Sequence, residues 1–275
     1  DLYCITGTGP NDIYVSGRSG TILHYNGNQW SELSSGTWKT LYDIFLTSQN
    51  EAFAFNRIET VVRRFGSEWK SVFLASTGLL DGCWRSDTGK IFAHSTDDSI
   101  HYYNGTYWDL IPVNSTADYL YPTDYWGTSD TNVYIAEYGK IHHYNGSEIS
   151  VAFTPENTSI RDLWGSSATD IYAAGPGGCL HWDGNNWSET AIEGEWRGIC
   201  GTGTGEVFIF SHYDVIYWNG STWRDLNYDG QPKLKGIWCS SPDNCYVIGR
   251  DYQYSHWNGS KWEHFDSSMD GEMFD

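Results

Sequence analysis

The sequence predicts an all-β chain folded as a seven-bladed β-propeller, with four antiparallel strands per blade. Three observations predict it. A phrase of the form aromatic-Asn-Gly-x-x-Trp returns about every 39 residues. Between its copies lie short aromatic and β-branched runs broken by Gly, Asn, Asp and Ser, which read as strands and turns. No segment sustains an apolar period of 3.6 residues, so almost no helix is expected.

The repeat comes first, because self-similarity at a fixed period decides the architecture. Full copies run from Tyr25 to Trp30, Tyr103 to Trp108, Trp218 to Trp223 and Trp257 to Trp262. Variants run from Phe65 to Trp69, one residue shorter, and from Trp182 to Trp187. A seventh, Tyr144 to Ile149, has lost its Trp. The closing positions are 39, 39, 41, 38, 36 and 39 residues apart. In the fifth unit, strand A starts at Asp162, strand B covers Asp170–Gly175, strand C Cys179–Trp182 and strand D Asn186–Ile192. A four-stranded unit of this length, repeated seven times, points to a propeller. A β-solenoid is the alternative, but its coils are shorter and would not need a Trp every 39 residues. The expected domain is single, 1–275, with blades near 1–38, 39–77, 78–119, 120–157, 158–193, 194–231 and 232–275. The Trp opening strand D is expected to wedge between blades, since each twisted sheet must bury both faces. The tail after Gly271 resembles the lead into strand A of blade 6, so tail and head are expected to meet.

Composition narrows the function classes. Aromatics form 17% of the chain, which excludes acidic disorder. A formal charge of −19 argues against nucleic-acid partners and anionic membrane surfaces. No apolar run reaches the roughly 18 residues of a spanning helix, so membrane insertion is not expected. The chain starts at Asp1 without a signal peptide and reads as a mature form or an excised fragment.

Six Cys show no zinc spacing. Cys239 and Cys245 flank a Ser-Pro-Asp-Asn turn, so a hairpin there would bring them within disulfide distance in an oxidising compartment. Cys4, Cys83, Cys179 and Cys200 are left unpaired by this reading. Sequons occur at Asn104, Asn114, Asn145, Asn157, Asn186, Asn219 and Asn258. They suit N-glycosylation outside the cell, although four are Asn-Gly turns that a β-protein would use anyway. The expected location is extracellular or on the cell surface.

The phrasing Asn11 to Gly17, then Gly20 to Gly27, then Trp30 resembles secreted β-propeller repeats of bacterial surface proteins. It is also similar to the tectonin-type repeats of propeller lectins, across all seven units. Tectonin repeats usually carry a Gly soon after Trp-x-x-Ile/Leu, which Trp30–Leu33 and Trp223–Leu226 lack. The WD40 motif is absent. The resemblance implies glycan or surface binding without assigning a sugar pocket.

Candidate binding residues follow from strand direction. B–C and D–A loops share one face, and the long D–A loops there are natural recognition elements. Asp43, Asp124 and Asp162 hold one aligned position at the starts of A strands, with Arg161, Arg197 and Lys235 just before it in blades 5 to 7. Such a set would hydrogen-bond a sugar or hold a cation, or else form a solvated, mutually neutralising rim. His24, His143, His181 and His256 share one strand C position in different blades, too far apart for one metal ion. Tyr107, Tyr119, Tyr121, Tyr138, Tyr213 and Tyr252 lie outside the repeat frame and are candidate sugar-stacking rings.

No Ser/His/Asp order, phosphate loop or HExxH is present, so no catalytic residue, cofactor or metal is assigned. The expectation is a carbohydrate-binding module of lectin or adhesin type without catalysis, whose partners are glycans or a surface protein. A structural or protein-interaction propeller within a larger assembly is the alternative. A propeller glycosidase or lyase, with carboxylates drawn from separate blades, is the third reading.

Overall fold

The computed structural model describes residues 1–48, 51–56, 60–73, 80–86, 90–95, 100–103, 107–111, 122–230 and 233–266. They form seven four-stranded antiparallel sheets, the blades of a seven-bladed β-propeller. The blades span 2–33, 43–73, 80–111, 122–153, 162–189, 198–225 and 234–266. Every sheet takes its strands in sequence order, so each repeat closes its own blade. Helix is confined, among the described residues, to single 3-10 turns at Arg18–Gly20 and Arg250–Tyr252. Neither is long or apolar enough to cross a membrane. Two compact units are distinguishable, Asp1–Leu74 with His212–Val215 and Asp225–Asp275, and Ala75–Ser211 with Ile216–Arg224. Blades 1, 2 and 7 belong to the first unit and blades 3 to 5 to the second.

The B strands are the most buried element, as in Asp12–Gly17 and Asp170–Gly175, where everything after the first residue is buried. Their neighbours explain the repeat's glycines. A Cβ on Gly165 would sit 2.6 Å from the Trp126 ring, one on Gly201 2.5 Å from Trp164, and one on Gly7 2.6 Å from Trp238. The Trp of one A strand thus lies on the Gly of the next blade's A strand, which is why Trp-Gly recurs. The strand D Trp packs the same way. Trp187 meets Tyr134 of blade 4 edge-on, with centroids 6.4 Å apart, and Trp223 meets Tyr172 of blade 5 at 6.5 Å. Both are inter-blade wedges.

The C–D turns share one construction. Asn26, Asn145, Asp183, Asn219 and Asn258 each accept two backbone N–H bonds through their side-chain oxygen. The following Gly27, Gly146, Gly184, Gly220 and Gly259 have φ between 87° and 94°, a left-handed conformation that favours glycine. Asn26 and Asp183 do this without a sequon, so the turn alone accounts for the residue type. Asn145, Asn157, Asn186, Asn219 and Asn258 are exposed, and Asn104 and Asn114 lie outside the described residues.

Cys239 faces Cys245 across strands Leu234–Ser241 and Asn244–Gly249, and a disulfide joins them. Cys179 is a buried free thiol. Strand D of blade 5 is shorter than its sequence suggests. It ends at Glu189, after which Thr190 stays tied to strand C, its N–H and hydroxyl both donating to the Cys179 carbonyl. The tail beyond 266 lies outside the described residues. The head is held by blades 1 and 7, since the Asp1 carbonyl accepts from Arg18 N–H and its carboxylate from Asp251 N–H.

Candidate functional site

The aligned acids are spent on the scaffold. Asp124 Oδ2 accepts the N–H of Leu163 in blade 5 at 2.9 Å, and Asp162 Oδ2 accepts the N–H of Ile199 in blade 6 at 2.8 Å. Asp124 and Asp162 also hydrogen-bond each other. Loss of water contact, and then the Asp162 carboxylate, push Asp124 well above the usual carboxylate range. Asp43 accepts the N–H of Ile44 at 2.8 Å and the Cys4 thiol at 3.0 Å. These carboxyls stitch neighbouring A strands together and do not form a solvated rim.

The cations part company. Lys235 lies 5.5 Å over the Tyr3 ring, which itself meets Tyr42 at 5.0 Å. Arg161 and Arg197 occupy one register in blades 5 and 6. Each backbone N–H bonds a strand B carbonyl, that of Ala174 at 2.9 Å and of Phe210 at 2.8 Å. Burial lowers the Arg197 guanidinium, the Arg161 charge lowers it further, and Tyr138 partly offsets both. Tyr107 and Tyr138 are more than half exposed, and Tyr213 carries Lys233 at 5.8 Å from its ring. Tyr252 falls in the Arg250–Tyr252 turn, and Tyr119 and Tyr121 lie outside the described residues.

The four strand C histidines each bind the first residue of their own strand B. His24 reaches Asp12 at 2.9 Å, His143 Asn132 at 2.7 Å, His181 Asp170 at 2.8 Å and His256 Asn244 at 2.7 Å. The asparagine side-chain oxygen only accepts, so Nε2–H is the donor there. Each ring also packs on the strand B tyrosine, as His181 does on Tyr172 at 4.3 Å. A strand A hydroxyl completes the chain, Thr8 with Asp12 and Ser166 with Asp170. Here the carboxylate sits between hydroxyl and imidazole. A nucleophilic serine needs the imidazole in the middle. This recurring set is scaffold.

Blade 7 departs from the pattern, and there a cavity opens. In blades 1 and 5 the strand C residue before the shared histidine is Leu23 or Leu180, both buried, facing Glu32 or Glu189 on strand D, and in blade 4 it is His142 facing Val151. In blade 7 the same cross-strand pair is Ser255 and His264. A small hydroxyl replaces an isobutyl group, and space results. The cavity measures about 280 Å³ and is lined by Asp229, Gly230, Gln253, Tyr254, Ser255, His264 and Phe265. Tyr254 and Phe265 stack face to face at 4.9 Å along one side.

The polar side is wired in one direction. Asp229 accepts from His264 Nε2 at 2.9 Å, and His264 Nδ1 takes the Ser255 hydroxyl at 2.8 Å. The Tyr228 hydroxyl lies 3.2 Å from Ser255 Oγ. This order is that of a nucleophilic serine, but Ser255 is only 3% exposed while the Asp229 side chain is 78% exposed. Ser255 therefore orients the imidazole, leaving His264, Asp229 and Gln253 as polar groups beside an aromatic wall. Sequence reasoning missed this site. Its trace was a Ser where blades 1 and 5 have Leu, opposite a His where they have Glu.

No protein-family model and no curated protein sequence matches the chain. Solved structures do. A streptogramin B lyase structure is similar with a TM-score of 0.74 at 12% identity, over 96% of this chain and 92% of that one. The WD40 β-propeller domain of Doa1 gives 0.70 at 13% identity, over 98% and 93%. YCF48 bound to D1 peptide gives 0.61 at 18% identity, over 76% and 74%. At such identities the likeness is one of fold. It corrects the expectation that the chain lacks catalysis, because a propeller of this shape serves a lyase and the fold is compatible with an enzyme. What these likenesses and the seven sheets establish together is a seven-bladed β-propeller.

Proposed function

We propose that the chain is an extracellular carbohydrate-binding propeller, and that the blade 7 cavity receives a sugar ring. One observation carries this reading, the pairing of the stacked Tyr254 and Phe265 rings with His264, Asp229 and Gln253 around about 280 Å³. A sugar presents C–H faces and hydroxyl edges, and a ring wall beside a few fixed polar groups answers both. The likeness of its repeats to propeller lectins supports the reading. The Cys239–Cys245 bridge and the exposed sequons favour the extracellular placement.

A glycan array with labelled protein tests it. A related set of saccharides is expected to bind, and Phe265→Ala and His264→Ala are each expected to weaken that binding about tenfold or more. A blank array under multivalent display, or binding indifferent to both substitutions, contradicts it.

A second reading, a protein partner, is favoured by the third position of strand D. Blades 3 and 4 place Leu110, 55% exposed, and Val151, 49% exposed, where other blades carry Glu32, Glu189 and Asp225. Leu110→Glu with Val151→Glu would abolish capture of a protein partner and leave saccharide binding intact.

A further inference from the structure

Among the described residues that line the blade 7 cavity there is one carboxylate, Asp229, and no lysine or arginine. The carboxylate is held in place although its side chain is 78% exposed. It belongs to the connection from Trp223–Asp225 of blade 6 to Leu234–Ser241 of blade 7. That connection is anchored to blade 7 on either side of it. Before it, Tyr228 packs edge-on to Trp262 with centroids 5.1 Å apart, and its hydroxyl lies 3.2 Å from Ser255 Oγ. After it, Gly230 is buried so closely that a Cβ there would sit 2.8 Å from His264 Cε1 and run into the Tyr228 hydroxyl. With a neighbour pinned on each side, Asp229 has little freedom left to lose when a ligand arrives.

A carboxylate only accepts, so His264 Nε2 carries the hydrogen that faces Asp229, and in the neutral ring Nδ1 accepts from Ser255. The pair then keeps the full negative charge of the carboxylate. One Asp229 oxygen is engaged by His264, and Asp229 has no other hydrogen bond among the described residues. The Gln253 side-chain amide has none there at all. Beside them stand the stacked Tyr254 and Phe265 rings, and the face of an aromatic ring attracts a cation. A chain of formal charge −19 also draws cations toward its clefts. We propose that the blade 7 cavity selects amino sugars, holding a protonated sugar amine at the open oxygen of Asp229 while the sugar ring lies against the Tyr254–Phe265 wall. This rests on the carbohydrate reading of the cavity and adds the ligand class. A neutral saccharide leaves the Asp229 charge unanswered, and an acidic one meets it with like charge.

The test is calorimetric titration near neutral pH with β-linked oligosaccharides of glucosamine, N-acetylglucosamine and glucose, and with the galactosamine and N-acetylgalactosamine pair. In at least one series the amine form is expected to bind wild type about fivefold more tightly than its neutral counterpart. Asp229→Asn keeps an oxygen for His264 Nε2 and removes the charge. It is expected to erase the preference for the amine and to leave neutral binding at the wild-type value. Glu32→Gln, which neutralises an exposed strand D acid of blade 1, is expected to change neither. Phe265→Ala is expected to weaken amine and neutral forms together. The selectivity is refuted if no amine form binds more tightly than its neutral counterpart, or if Asp229→Asn keeps the preference. It is also refuted if Glu32→Gln erases the preference equally, since the attraction would then belong to net charge. Neutral saccharides that bind through Phe265 with no preference for the amine leave the cavity a sugar site and remove only the selectivity. Saccharides that bind at full strength to both Phe265→Ala and His264→Ala remove the cavity reading itself.

Discussion

Single residues decide where this propeller spends its polar chemistry. Asp124 is the clearest case, because burial and then the Asp162 carboxylate hold its carboxyl well above the usual carboxylate range. An unfolded aspartate ionises near pH 4, at about 3.9. Above that, folding takes up a proton, so this contribution is full below the unfolded value and is lost as pH rises through the raised folded one. Wild type is therefore expected to melt at a lower temperature at pH 8 than at pH 5. Asp124→Asn donates to Asp162 and accepts from Leu163 without ionising, so thermal melts of that variant are expected to lose part of the pH 5 to pH 8 difference. An unchanged difference would mean that Asp124 is ionised in the fold. Cys179 shows the same physics in a thiol, since burial pushes it up to about 12. Alkylation at pH 8 is expected to spare Cys179 until the protein unfolds, as peptide mapping would reveal.

At the scale of the strand, the recurring unit is a contact between blades. The Gly165 Cα lies against the Trp126 ring and the Asp170 carbonyl, with no room for a methyl group. Gly165→Ala is expected to cost about 1–3 kcal/mol, read as a fall of several degrees in melting temperature. No loss would mean that neighbouring A strands are not held by Trp on Gly. Much of this level was legible in the sequence, because strand length, turn residues and the wedge Trp are local or periodic signals. What was not legible is where a side chain goes once blades are adjacent. Asp124 and Asp162 read as surface acids, yet each reaches a backbone N–H about 38 residues away. The blade 7 cavity was hidden for a related reason. Ser255 and His264 are unremarkable alone and become a site only as a cross-strand pair.

For the whole molecule, the repeat explains a fold that carries no family-level sequence match. Seven units of four strands are specified by about one Trp, one Asn-Gly-type turn and one strand B Tyr or Phe each, leaving most positions free to drift. Blade 7 keeps that specification and differs at one cross-strand pair, Ser255 and His264, beside which the cavity opens. The blade 7 disulfide closes a short loop between Cys239 and Cys245. Replacing both cysteines with serine is expected to cost about 2 kcal/mol by denaturant titration, without loss of saccharide binding. Loss of binding would tie the bridge to the site.

The most direct test follows the imidazole resonances of all nine histidines by NMR during saccharide titration. His264 signals are expected to move saturably with the saccharide, while those of His24, His143, His181 and His256 stay in place. A saccharide that binds while His264 stays still would contradict the assignment of the blade 7 cavity as the sugar site.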